Sequence, residues 1–273
     1  MSELYLELTA IPDRRVDASP LTPCRLAGMN DDAVRRVPLT FENGKTTTVG
    51  ELFRVDGAAS EALFLNGNLA MFDRVGAGMS RGVVTVDLSV GDNAGRDMTG
   101  GTLEIRGDAA DGTGIDMSGG TIVVRGSAGR RSGSASPGAK RGMSGGEIVV
   151  FGDAGSETGA SLRRGVIAVA GRIGPDAARA AIAGTVLAGQ GFDPPAGRWL
   201  KRASLVSLGE TTIPPAFLAT CTYRPSFVAV LLTHLRRTYG FPVTAKQASG
   251  LYRQFRGDMA ESGRGEILLW TGG

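Results

Sequence analysis

Side chains able to do acid–base, nucleophilic or metal chemistry are scarce in this sequence, and none falls at a spacing that organises a reaction. Histidine, the side chain most used for proton transfer near neutral pH and for metal binding, occurs once, at His234. It sits among Leu231, Leu232 and Leu235, where a packing or capping role outweighs a catalytic one. Cys24 and Cys221 have no neighbouring histidine and no metal-ligand spacing, so both read as structural thiols. Asp92, Asp108, Asp111 and Asp153 invite a calcium reading, but they lack the nine-residue period of calcium-binding β-repeats, and their column breaks at Ser127 and Arg172. The glycine-rich stretches "GSAGRRSG" and "GDAGSETG" lack the Gly-Lys-Ser/Thr ending of a phosphate loop and open no long apolar helix. What remains is basic: Arg130, Arg131, Lys140, Arg141, Arg163 and Arg164. These six suit an anionic ligand or an acidic partner surface. Nucleic acid fits less well, because aromatic residues make up only 6% of the chain and none interleaves with these arginines.

The elements that must position these residues are repeats. "MTGGTLEIRGDAADGTG" at 98–114 returns as "MSGGTIVVRGSAGRRSG" at 117–133 and "MSGGEIVVFGDAGSETG" at 143–159. Met79, Met98, Met117, Met143, Leu162 and Ala181 form one column, with steps of 19, 19, 26, 19 and 19 residues. Three residues further on the column is all glycine: Gly82, Gly101, Gly120, Gly146, Gly165 and Gly184. Two apolar columns spaced by two follow, from Val84 to Val186 and from Val86 to Ala188. Alternation of that kind is a short strand with one buried face, and the flanking glycines supply corners. Asn43-Gly44, the one hairpin-type signal, lies outside the repeat. The pattern predicts a parallel β-helix of six to seven coils, a rod of roughly 30 Å at about 4.8 Å per coil. A coil can bury its apolar face only against its neighbours, which is why the phrase recurs. The period of 19 rules out a hexapeptide acyltransferase, and no acidic column persists as it would in a β-helix polysaccharide lyase. The methionine column is at coil spacing and reads as core. The step of 26 holds an insertion, "SASPGAKRG" at 134–142, which projects from one face, and the basic residues fall in or beside adjacent corners near it.

The predicted organisation is an N-terminal α/β cap over 1–60, the repeat domain over 61–195, and a C-terminal capping or docking segment over 196–273. In the cap, "YLELTA" reads as a strand, a short helix follows Asn30, and "VPLTFENGKTTTVGELF" reads as a hairpin. In the last segment, 226–240 reads as an amphipathic helix, a second helix is expected from Lys246 to Met259, and "EILLW" reads as a final strand. Glycine accounts for 42 of 273 residues, about twice its ordinary share. Residues 1–117 carry 11 Lys/Arg against 18 Asp/Glu, and residues 118–273 carry 19 against 9, so the two halves are set to meet different neighbours. No apolar run approaches the roughly 18 residues of a membrane span. The start lacks the layout of a signal peptide, so the cytoplasm is the expected compartment.

Gly126, Gly129 and Gly133, and again Gly152, Gly155 and Gly159, satisfy GxxGxxxG after a Met-Ser-Gly-Gly-x-Ile-Val-Val coil. This pattern resembles the C-terminal domain of the glutamate synthase large subunit and the C-type, β-helical subunit of formylmethanofuran dehydrogenase. The flanks "RVDASPLTPCRLAGM", "SASPGAKRGMSGG" and "IPPAFLATCTYRPSFVAVLLTHLRR" are similar to the stand-alone C-type subunit, in particular its bacterial relative in the formyltransferase/hydrolase complex of methylotrophs. The resemblance implies that the β-helix is right-handed, and that the chain belongs to a complex that moves formyl groups between tetrahydromethanopterin and a methanofuran-type carrier and releases formate. The chemistry would lie on other subunits, a formyltransferase and a metal-dependent amidohydrolase-like subunit. No residue here matches a catalytic motif, so the resemblance implies neither a catalytic residue nor a bound metal or cofactor in this chain. The carrier's glutamate-rich tail would suit the basic corners.

Two function classes are therefore expected: a non-catalytic structural subunit that docks catalytic partners, in a formyltransferase/hydrolase or a formylmethanofuran dehydrogenase complex, and a stand-alone ligand-binding β-helix. The outward residues Val123, Val149, Phe151, Ala168 and Leu187 are more apolar than a solvated rod requires, which favours docking.

Overall fold

A computed structural model of the protein describes residues 3–57 and 60–272. The first of these stretches lays down β1 (Leu4–Leu8), the short β2 (Val16–Asp17), helices α1 (Pro23–Leu26) and α2 (Asp31–Arg35), the hairpin β3 (Pro38–Phe41) and β4 (Thr46–Thr48), then α3 (Val49–Leu52) and β5 (Phe53–Gly57). The strand, short helix and hairpin expected here are all present. Asn30 starts α2 by accepting the Ala33 N–H at 2.9 Å, filling one of the donors that a helix start leaves unpaired.

The repeats follow as β6 (Ala62–Asn66), β7 (Phe72–Asp73), β8 (Val83–Val86), β9 (Thr102–Ile105), β10 (Thr121–Val124), β11 (Glu147–Val150), β12 (Val166–Val169), β13 (Thr185–Ala188) and β14 (Ser204–Ser207). From β8 to β14 the strands pair in parallel and in sequence order, and the columns read from the sequence are the register: Val84, Leu103, Ile122, Ile148, Ile167 and Val186 lie side by side. A second parallel line of single-residue bridges runs Leu69, Val90, Ala109, Ala128, Ala154, Ile173 and Phe192. The 26-residue step keeps register because the extra residues leave the ladder and return to it: Gly142 donates its N–H to the Ser161 carbonyl at 2.9 Å, and Met143 resumes the column. All four methionines of that column are fully buried. The glycine column is steric. Gly146 holds φ at +88°, and a Cβ there would meet the Gly120 carbonyl oxygen at 2.5 Å.

The chain ends with β15 (Leu218–Tyr223), α4 (Ser226–Tyr239), α5 (Ala245–Ser249), β16 (Tyr252–Gly257) and β17 (Gly265–Trp270). The described residues form a large, mostly parallel sheet of 13 strands, in the order β15-β16-β17-β14-β13-β12-β11-β10-β9-β8-β6-β1-β5, with a four-strand sheet β4-β3-β2-β7 beside it. Antiparallel pairing in the large sheet occurs only toward its two ends.

Two expectations for 196–273 are corrected. The second helix stops at Ser249, and "YRQFRG" is a strand, because its alternate side chains Tyr252 and Gln254 are buried while Arg253 and Arg256 reach solvent. The long helix α4 closes the side of the sheet, whose end is extended instead by β17, β16 and β15. Along the outward column, Thr85 and Glu104 give way to Val123, Val149, Ala168, Leu187, Val206 and Leu268. Val228, Leu232 and Leu235 of α4 pack on the apolar part of that column with Val149, Ala168, Leu187 and Val206. The apolar outward positions therefore have an occupant within the chain, and they no longer argue for a partner.

Candidate functional site

The molecule's one histidine belongs to a cluster that joins α4 to β11. His234 Nε2 lies 3.0 and 3.1 Å from the two Glu147 carboxylate oxygens, and Thr238 Oγ1 is 3.3 Å from His234 Nδ1. Tyr239 O–H donates to Glu147 Oε2 at 2.5 Å. Burial, reinforced by that carboxylate, pushes the Tyr239 phenol up to about 12. Arg125 of the segment after β10 donates to the Tyr239 carbonyl at 3.2 Å and stacks 4.7 Å from the Phe151 ring. Both histidine nitrogens are occupied and Glu147 is already bound by its neighbours, so the arrangement fastens a helix to a sheet. The packing role read for His234 becomes this strap, and Glu147 and Tyr239 are the partners that sequence reasoning did not pick out. Beside it lies an open apolar groove of about 520 Å³ lined by Val166, Thr185, Phe227, Val230, Leu231 and His234.

The aspartates that suggested calcium have a different job. Asp73 Oδ1 accepts the Asp92 N–H at 2.8 Å, Asp92 Oδ1 accepts the Asp111 N–H at 3.1 Å, and Asp111 Oδ1 accepts the Arg130 N–H at 2.7 Å. A parallel line runs from Ser89 through Asp108, Ser127 and Asp153 to the Arg172 N–H. Each side chain binds the backbone one repeat further on and supplies an acceptor for an amide at a corner. Serine replaces aspartate without loss of that function, which explains the broken acidic column. Burial pushes the first carboxyl, Asp73, above its ordinary value, against the pull of the Asp92 N–H and of Arg15. Among the described residues, no group of three or more His, Cys, Asp or Glu side chains is placed to hold a metal.

The six basic residues separate into two sets. Arg130 and Arg131 line a groove of about 320 Å³ with Asp92, Asp111 and Glu157. Arg130 Nε donates to Ser156 Oγ at 3.0 Å, while Arg131 donates to the Ala135 carbonyl at 2.6 Å and lies 3.7 Å from Glu157. Three carboxylates, those of Asp92, Asp111 and Glu157, stand beside the two guanidiniums in this groove. The residue arithmetic held the signal, since Asp92, Asp111 and Arg130 are spaced by one repeat. Lys140, Arg141, Arg163 and Arg164 are exposed and make no ion pair among the described residues. The root of the insertion brings Arg141 toward the Arg163 corner through the Gly142–Ser161 hydrogen bond.

Cys24 is half-buried and Cys221 exposed, and neither is in a disulfide. Burial acts to raise the Cys24 thiol, but hydrogen bonds with Thr22 and Ser80 outweigh it and hold it below its ordinary value. The one histidine is committed to Glu147, so no histidine accompanies either thiol. No described helix is long and apolar enough to cross a membrane.

Fold and site together define a class: a repetitive, mainly parallel β protein whose polar side chains serve its own backbone and whose titratable cluster fastens a helix. No protein-family model matches the sequence, and no curated protein matches it significantly. Among solved structures it is similar to a chain in the X-ray crystal structure of the formyltransferase/hydrolase complex from Methylorubrum extorquens in complex with methylofuran. The two are 33% identical, the match covers 98% of this chain and 99% of that one, and the TM-score is 0.88. This chain belongs to the family of that component of the formyltransferase/hydrolase complex.

Proposed function

We propose that the chain is the C-type subunit of a formyltransferase/hydrolase complex, a non-catalytic rod on which the catalytic subunits are mounted. The observation that carries this reading is likeness over essentially the whole length, at 33% identity, to a chain of such a complex. The complex would transfer formyl groups between tetrahydromethanopterin and a methanofuran-type carrier and release formate, in the cytoplasm, with the chemistry on a formyltransferase and an amidohydrolase-like subunit. In this reading the stacked repeats of 61–195 wind as a right-handed parallel β-helix. Residues 1–60 close one end, and 196–273 cover the side and prolong the other. What supports a non-catalytic role is chemical: the cysteines lack a histidine partner, the histidine is engaged, and the aspartates bind backbone.

The basic corners keep a role in this reading. Among the described residues Lys140, Arg141, Arg163 and Arg164 are the members without carboxylate partners, and they would hold an anionic carrier tail or an acidic partner surface. Arg130 and Arg131 would support the insertion from below.

Deleting the gene in the native cell and sizing the remaining catalytic subunits tests the proposal. Loss of the assembly and of formyl turnover, both restored by re-expression, is the expected result. An assembly that forms and turns over unchanged without this chain overturns it.

A further inference from the structure

The last strand of the large sheet, β15, presents an edge that no other described strand covers. Five of its six residues are exposed, with Leu218 at 57%. One side pairs with β16, with a bulge between Ala219 and Thr222, where the Thr220 hydroxyl reaches Gln254 Oε1 at 2.9 Å. On the other side, no backbone group of residues 218–223 finds a backbone partner among the described residues. Its sequence, Leu-Ala-Thr-Cys-Thr-Tyr, contains no lysine, proline or charged residue, so the bulge is its one protection against pairing.

Charge indicates what covers it. Between Glu210 and Asp258 there is no acidic residue, and the same stretch holds Arg224, Arg236, Arg237, Lys246, Arg253 and Arg256. This stretch builds β15, α4, α5 and β16. Arg224 directly follows the edge strand, and Arg253 is the register partner of Thr222. A second copy of the chain paired edge to edge would set these cations against their own kind, which costs free energy. An extended segment bearing carboxylates would instead pair its backbone with β15 and its side chains with the arginines, a strand addition with electrostatic selection.

We infer that the free edge of β15 is a docking site for an extended, Asp/Glu-bearing segment of a partner polypeptide, which adds a fourteenth strand to the sheet. The inference rests on the reading that this chain works inside an assembly and names where one contact is made. A six-residue strand accepts about 20 Å of partner chain.

Amide hydrogen exchange tests it, measured on the full chain alone and on the assembly isolated from its native cell. In the isolated chain the outward amides of 218–223 exchange freely, and in the assembly they slow by about 100-fold or more. Full chain carrying Arg224→Glu and Arg253→Glu loses about 10-fold or more in partner affinity and regains fast exchange, while the Arg→Lys pair keeps both the affinity and the slow exchange. Partners that co-purify while the edge still exchanges freely overturn this inference and leave the functional reading standing. A chain that travels alone with a free edge overturns both. Protection that grows with concentration in the chain alone assigns the edge to a second copy and overturns the partner proposed here.

Discussion

At one edge of the large sheet, β5 carries Arg54 and Asp56 within the strand, α2 packs against it, and Arg35 donates to the Val55 carbonyl at 3.2 Å. At the other edge, β15 carries no charge, and its outward backbone finds no backbone partner among the described residues. Stacked repeats bury their apolar face only against neighbours, so both ends need an answer to the exposed edge. The N-terminal answer is encoded in the chain. The C-terminal end has its side covered by α4 and its edge left open, within a stretch free of acid. A sheet closed at one edge and open at the other has a single direction in which a further strand can add.

The largest expected effect comes from uncovering what the C-terminal half does cover. Leu232 is fully buried under α4. Leu232→Ala should cost about 2–5 kcal/mol of stability, read from denaturant unfolding, and should expose Val149 and Leu187 to self-association. An effect below about 1 kcal/mol would mean α4 is not the cover it is taken to be. Next comes the closed edge. Arg35→Ala should cost about 1 kcal/mol and make the β5 amides exchange faster, moving that edge toward the behaviour of β15. If β5 stays as protected as before, Arg35 is not part of its closure.

The strap at Tyr239 makes a pH prediction. Its phenol is raised from 10.0 to about 12 in the folded chain, so its contribution is intact below pH 10, where folded and unfolded phenols are both protonated. Between about pH 10 and 12 the unfolded chain ionises first and stability falls. Thermal melts of wild type and Tyr239→Phe should diverge in that window, with the variant losing less. The smallest effect on folding is expected at the open edge: Arg224→Glu with Arg253→Glu should change stability by no more than about 0.5 kcal/mol, as exposed substitutions do. A large loss there would make those arginines part of the fold and weaken the contrast between the two ends.

The repeat is legible because burial imposes the same demand on every copy. Counting alone aligns Val84 to Val186, and those counts are the strand register. Even the 26-residue step is absorbed where the count places it, at 134–142. Legibility fails where the partner of a face lies outside the repeat. The outward valines and leucines announce a cover, but an amphipathic helix does not state which surface it will take, so the pattern alone sets α4 at the end of the stack. The strand at Tyr252–Gly257 is hidden by helix-forming residues just before it, since alternation over six residues is a weak signal beside Ala-Lys-Gln-Ala. Glu147 and His234, 87 residues apart, meet only through that unforeseen docking.

Gentle isolation of the chain from its native cell, followed by the mass and composition of what travels with it, tests the central claim most directly. The account predicts a fixed ratio of this chain to a formyltransferase and an amidohydrolase-like subunit. A lone monomer or homo-oligomer, in the presence of those proteins elsewhere in the same extract, would contradict it.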